Sequence, residues 1–173
     1  SHAPAALPAR SYLAFIDADV RAQPALLPGA VASAERSRAS LVSTFPRQIT
    51  ESLSERLVVP LIHFVLFSYL PMGRMQRTLS PAASAACGQF ILVEPGAYFA
   101  AGGHEAFKAS MHDGVQMPRA LRRAGHRTDL FDGTDLVSVR MYRGAREVWR
   151  GFTKNAYEGL GSLGLLIFIT LLH

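Results

Sequence analysis

The sequence predicts an α/β domain, and three observations point there. First, a short apolar run, Ser11 to Ile16, closes on Asp17-Ala18-Asp19. A buried strand that delivers carboxylates at its C-terminal end has this form. Second, residues 24–37 follow with Leu26, Leu27, Ala30, Val31 and Ala34 at helical spacing. Third, two more short apolar runs, Leu41–Phe45 and Gly88–Val93, read as strands. In open α/β sheets, ligands bind beyond the carboxyl ends of the strands, which makes the Asp17–Asp19 segment the first place to look for chemistry.

The remaining elements follow in order. Pro46 stops the strand that begins at Leu41. A long helical region is expected from about Ile49 to Leu70, broken by Pro71-Met72-Gly73, with a loop over residues 74–86. Glu94-Pro95-Gly96 opens a turn, Ala97–Ala101 a short helix, and Gly102-Gly103 ends it where positive φ costs little. Met117, Leu121 and Ala124 then recur at helical spacing up to Gly125, the expected C-cap. Pro118 is tolerable only in a first turn, so this helix should start near Gln116 with Asp113 just ahead of it. Leu136–Tyr142 alternates as a strand, with Val137, Val139 and Met141 on one face. The last helix runs from about Arg146 to Leu160, with Val148, Trp149, Phe152 and Ala156 as its apolar face. A basic stripe of Arg143, Arg146, Arg150 and Lys154 lies beside that face.

Composition narrows the class. With 173 residues, 49% hydrophobic and 18% charged, and a mean hydropathy of +0.16, the chain is neither disordered nor collagen-like. The length is that of one ordinary domain. Sixteen of the 18 basic residues are Arg, which suits bidentate phosphate recognition as well as a solvated surface. Arg140 to Lys154 alone holds five basic residues against one acidic, Glu147. Cys87 is the single cysteine, so a disulfide scaffold is excluded, a reducing compartment is favoured, and a small buried residue is the ordinary reading of it. Two apolar runs, Leu57–Leu70 and Leu163–Leu172, are each shorter than the roughly 20 residues a bilayer span needs. The first reads as a buried or interfacial helix. The second reads as a core element or as the beginning of a transmembrane helix.

Asp17 and Asp19 are the sharpest local feature. Two carboxylates one residue apart can hold Mg²⁺ or Mn²⁺ against a diphosphate, because such hard cations take one or two carboxylates plus phosphate oxygens. A haloacid-dehalogenase-type phosphatase would also place DxD after its first strand, but it wants Thr or Val where Arg21 stands. Its later acidic pair could be Asp132 and Asp135, although no strand is evident before them. His104-Glu105 begins like HExxH, but Lys108 occupies the second histidine position. Asp113 reads equally as a helix N-cap and as a general base at a helix N-terminus, and the two are compatible.

The order DAD, FPRQ, CGQFILV, AGGHEAF, MHDG, LRRAGHR and the tail VRMYRGAREVWRGFTKNAYEGLGSLGLL resembles the later part of a family 2 glycosyltransferase of GT-A fold. It is similar to the membrane-associated branch that includes hopanoid- and carotenoid-type enzymes. The likeness runs from about Tyr12 to the end. It implies a partial, Rossmann-like GT-A domain over 11–159, after a linker at 1–10 and before an apolar segment at 160–173. The half that binds the nucleotide base would precede the DxD residues, and there is no room for it before residue 17.

By that resemblance Asp19 binds the metal, Asp17 contacts the nucleotide-sugar, Gly102 and Gly103 precede the acceptor region, and Asp113 is the general base. His112 stands where a first acidic residue is usual. Trp149 with Arg146 and Arg150 falls where processive relatives carry QxxRW, but the Gln and the order are absent, so a processive polymerase is not implied. Arg140, Arg146 and Arg150 could hold a phosphate of the donor or of a lipid head group. The implied reaction is metal-dependent, inverting transfer of a sugar from a nucleotide-diphosphate-sugar to a hydroxyl of a lipid-like acceptor. The implied location is a membrane surface with the catalytic part cytoplasmic, and no nucleic acid is involved. A non-catalytic membrane-associated fragment or scaffold is the second expectation, and a DxD phosphatase the third.

Overall fold

The computed structural model describes residues 11–61, 63, 64, 72–107 and 113–160. The linker at 1–10, the later part of the first apolar run (65–70), Lys108, His112 and the apolar segment after Leu160 lie outside the described residues. The chain divides into two compact units, Ser1–Arg47 with Leu66–Val139, and Gln48–Val65 with Arg140–His173.

The first unit is mixed α/β. Strands β1 (Leu13–Ile16), β3 (Leu41–Ser43), β5 (Phe90–Val93) and β6 (Thr128–Leu130) form one sheet in the order β1-β5-β3-β6. β5 runs antiparallel to both β1 and β3, and β3 runs parallel to β6. β1, β3 and β6 therefore point the same way. A smaller sheet joins β2 (Val20–Ala22), β7 (Val137–Val139) and β4 (Arg47–Gln48) in the order β2-β7-β4.

The period-2 alternation of strand side chains makes the larger sheet the middle layer. Val42, Phe90 and Leu92 pack with Leu26, Ala30 and Ala34 of helix α1 (Leu26–Ser37). Leu41, Ile91 and Val93 turn the other way. They pack with Ala97 of α4 (Pro95–Ala100) and with Met117 and Leu121 of α5 (Asp113–Arg123). All four residues of β5 are buried, as expected of a strand covered on both faces. Burying one such side chain fully contributes about 1.5–3 kcal/mol.

Four expectations need correction. A short strand, β2, follows the DAD segment where none was expected, and α1 starts at Leu26, two residues after the expected Pro24. Residues 72–77, expected to be a break and a loop, form helix α3 (Met72–Arg77). Pro71 precedes it, and proline just ahead of a helix marks a start as readily as a stop. A strand, β6, does precede Asp132. Finally, α5 begins at Asp113, three residues early, with Pro118 inside it.

The early start of α5 has a local cause. Proline at 118 has no N–H to give the carbonyl of residue 114. That carbonyl instead accepts the Ala86 N–H at 2.7 Å. A Cβ at 114 would collide with the Ala86 carbonyl oxygen, so only glycine admits this approach. The C-terminus of α5 matches expectation. Gly125 has φ +86°, its N–H donates to Arg122, and the His126 N–H donates to Leu121, a Schellman cap.

In the second unit, α2 (Leu53–Val58) and α6 (Gly144–Leu160) pack together. Ser52 caps α2 and its Oγ accepts the Glu55 N–H at 3.4 Å. The Glu55 carboxylate accepts the Glu51 N–H at 2.8 Å and the Gly144 N–H at 2.6 Å. The strand expected to reach Tyr142 stops at Val139. Arg140 then turns its guanidinium to Glu51 at 2.8 Å and Glu55 at 3.7 Å.

Candidate functional site

The common direction of β1, β3 and β6 brings three chain segments to one end of the larger sheet: Asp17–Asp19 after β1, Thr44 after β3, and Phe131–Asp132 after β6. β5 starts at that same end. The Asp17 N–H donates to the Gln89 carbonyl at 3.2 Å, and the Val20 N–H closes a tight turn onto the Asp17 carbonyl at 3.1 Å. Asp17 and Asp19 are both exposed on this turn.

Residues 86–89 are the organising segment. They hold Asp17 through Gln89 and the first turn of α5 through Ala86 and Gly114. The turn that carries Asp17 and the start of α5 at Gly114, next to Asp113, are thus anchored to the same four residues. Ser43 fixes this segment from below. Its Oγ accepts the Cys87 N–H at 2.8 Å and donates to the Phe90 carbonyl at 2.7 Å. Ser43 escaped the sequence reading because a small polar residue inside a strand carries no motif. The Cys87 thiol is pushed up to about 11, chiefly by burial, with the nearby Asp17 charge adding to the shift, so it stays protonated.

Gly102 and Gly103 take positive φ, +90° and +57°, as their position after α4 required. The turn carries His104 back over α4, where the Tyr98 hydroxyl lies 2.5 Å from its Nδ1 and Phe15 meets the ring edge-on.

Arg140, Arg146, Trp149 and Arg150 belong to the second unit. Arg140 is engaged by two carboxylates there. Arg146 and Arg150 are exposed on α6. Trp149, expected on the apolar face with Val148, is 76% exposed, while Val148 is buried. Adjacent positions on a helix point about 100° apart, and Val148 occupies the packed side. The Glu55 carboxyl is held down at about 2 by the Glu51 amide, then the Ser52 hydroxyl and the Gly144 amide. The signal for this network was legible as Ser52-x-x-Glu55, a capping box.

Among the described residues no group of three His, Cys, Asp or Glu side chains stands ready to share an ion. The donor set at the sheet end is the Asp17 and Asp19 carboxylates. Two hard oxygen donors on an exposed turn suit Mg²⁺ or Mn²⁺, which keep several waters and take phosphate oxygens instead of filling an all-protein cage.

No protein-family model and no curated protein matches this chain.

A cavity of about 330 Å³ opens at the same sheet end, beyond β3 and β6. Thr44, Phe45, Met72, Leu130, Phe131, Asp132 and Thr134 line it. Asp132 is exposed, and Thr134 holds its carboxyl below the ordinary value, first through the side-chain hydroxyl at 2.7 Å and then through its N–H at 3.1 Å. Although β6 supplies the strand that the phosphatase reading lacked, β1 and β6 are separated by two strands. At roughly 4.8 Å per strand this sets the two ends about 14 Å apart, which disfavours one ion shared by Asp17 and Asp132.

Proposed function

We propose that this chain carries the catalytic residues of a family 2-like glycosyltransferase of GT-A type. It would move a sugar from a nucleotide-diphosphate-sugar to a hydroxyl of a lipid-like acceptor, with inversion. The observation that carries this reading is the attachment of the Asp17–Asp19 turn and the first turn of α5 to the same residues, 86–89. A donor-binding pair of carboxylates and a general base must act on one reacting centre, and a shared anchor supports that requirement.

In this reading Asp19 would hold a divalent cation and Asp17 would contact the nucleotide-sugar; the cation would neutralise charge on the leaving diphosphate. Asp113 takes the proton of the acceptor hydroxyl as its oxygen bonds to the anomeric carbon. The bond from that carbon to the diphosphate oxygen breaks, and the nucleoside diphosphate leaves with the electron pair. Such a base is worth about 10²–10⁴-fold in rate. Gly102 and Gly103, both at positive φ, would precede the acceptor region.

A membrane surface as partner draws support from the second unit. Leu53, Leu57, Leu61 and Phe64 are all exposed and recur at helical spacing. Arg56, Arg143, Arg146 and Arg150 are exposed in the same unit, a composition suited to anionic head groups. No helix among the described residues is long and apolar enough to cross a membrane.

The direct test of the donor site is Mn²⁺ electron paramagnetic resonance with uridine diphosphate present. Free Mn²⁺ signal should fall on adding the chain and return with Asp19→Asn. An Mn²⁺ signal that is the same for both proteins would contradict the assignment.

A further inference from the structure

The cavity beyond β3 and β6 has a composition that the reaction above does not use. Its walls are apolar at Phe45, Met72, Leu130 and Phe131. Two of its lining side chains, buried Thr44 and exposed Asp132, keep hydrogen-bonding capacity. Thr44 is 1% exposed and accepts the Gly133 N–H at 2.9 Å, but its own hydroxyl proton has no acceptor among the described residues. Asp132 spends only Oδ1, on the two Thr134 donors, which leaves Oδ2 able to accept. Ionisation of this carboxyl is favoured by those same bonds.

The glycine between them keeps the arrangement in place. A Cβ at Gly133 would lie 2.8 Å from the Thr44 side chain and 3.1 Å from the Phe131 ring. The Thr44–Gly133 contact and the seating of Phe131 therefore both depend on glycine there.

A ligand matching these groups must be apolar along its body. At one end it must offer an atom that accepts one hydrogen bond and donates another. A primary alcohol does both: its oxygen accepts from Thr44 and its proton goes to Asp132. A carboxylate or phosphate would be repelled by Asp132, and a plain hydrocarbon would leave the buried Thr44 donor unpaired. At about 30 Å³ for each water-sized atom, the cavity holds roughly ten non-hydrogen atoms.

We propose that this cavity is a binding site for an aliphatic alcohol, with Thr44 and Asp132 holding the hydroxyl and Phe45, Met72 and Phe131 the chain. The site goes beyond the transfer reaction and does not depend on it. β3 lies two strands from β1, about 10 Å along the sheet end, so an occupant here leaves the Asp17–Asp19 turn uncovered.

The probe is 1-decanol, read by the ¹³C-methyl signal of Met72, with n-decane as the comparison. We expect a saturable shift with 1-decanol and binding at least tenfold tighter than that of n-decane. Asp132 is exposed, and Asp132→Asn keeps the Oδ1 contacts to Thr134, so this variant should fold and should bind 1-decanol about tenfold more weakly. Phe131→Leu should weaken both probes. No saturable shift, equal affinity for alcohol and alkane, or unchanged decanol affinity in Asp132→Asn would each overturn the proposal.

Discussion

In the first unit the sheet is sandwiched between apolar layers, and all four side chains of β5 are buried hydrocarbon. The second unit buries a carboxylate, Glu55 at 1% exposed, and turns Leu53, Leu57 and Phe64 outward at 73, 65 and 68%. The same helical periodicity thus serves opposite ends. In α1 the apolar stripe faces the sheet, and in α2 it faces outward while Glu55 faces in. Hydrophobic patterning locates a core only where burial of hydrocarbon holds the unit together. Where capping and ion pairing hold it, the pattern locates a surface.

The contrast breaks first at Arg122, a guanidinium 3% exposed inside the apolar unit. It donates to the Met75, Thr78, Ser80 and Thr128 carbonyls and to the Thr128 hydroxyl, tying α3, α5 and β6 together without a carboxylate. Arg122→Met should cost about 3–5 kcal/mol in urea unfolding, because several buried acceptors lose their donor at once. A loss under about 1 kcal/mol would mean that the hydrocarbon layers alone carry this unit.

Gly114→Ala comes next, at about 2–3 kcal/mol, since its Cβ meets backbone at Ala86 and not a movable side chain. Because Ala86 also belongs to the segment that holds Asp17, the same variant should disturb the amide signals of both Gln89 and Asp17. Unchanged signals there would break the link between the two carboxylate-bearing segments.

For the second unit the probe is acid. The Glu55 carboxyl sits at about 2 in the folded chain against an ordinary 4.5. A depressed carboxyl stabilises the fold fully above about 4.5, and that contribution fades as the pH falls towards 2. The amide signal of Gly144, whose N–H donates to the Glu55 carboxylate, should move over that interval. Glu55→Gln should abolish the movement there. A movement that survives in this variant would assign the acid sensitivity elsewhere.

The smallest effect expected is at Arg38, which ends α1 in the left-handed region at φ 51°. Its N–H and that of Ala39 make the two bonds of a Schellman cap to Glu35 and Ala34. Arg38→Gly should stabilise the first unit by up to about 1 kcal/mol, a gain measurable as a higher urea midpoint.

What could be read beforehand follows the same division. β1, α1, β3 and β5 are legible because they bury apolar side chains at regular spacing, and Gly102, Gly103 and Gly125 are legible because their positions demand positive φ. β6 is not, since Asp129 interrupts it; that side chain is satisfied locally by the Leu130 N–H at 2.9 Å. The true start of α5 is hidden because a contact with Ala86, 28 residues earlier in the chain, replaces the bond that Pro118 removes. At the site, Asp17 and Asp19 are visible as a motif. Ser43, Gln89 and Thr44, which position or line the sheet end, carry no sequence signal, because their value lies in partners brought close only by folding.

Asp113 carries the proposed chemistry. Sugar transfer from a uridine diphosphate-sugar to a long-chain alcohol, followed by release of uridine diphosphate, separates binding from chemistry when wild type is compared with Asp113→Asn. The proposal predicts a rate lower by about 10²–10⁴-fold in Asp113→Asn with Mn²⁺–uridine diphosphate binding unchanged. Near-normal transfer by Asp113→Asn would contradict it.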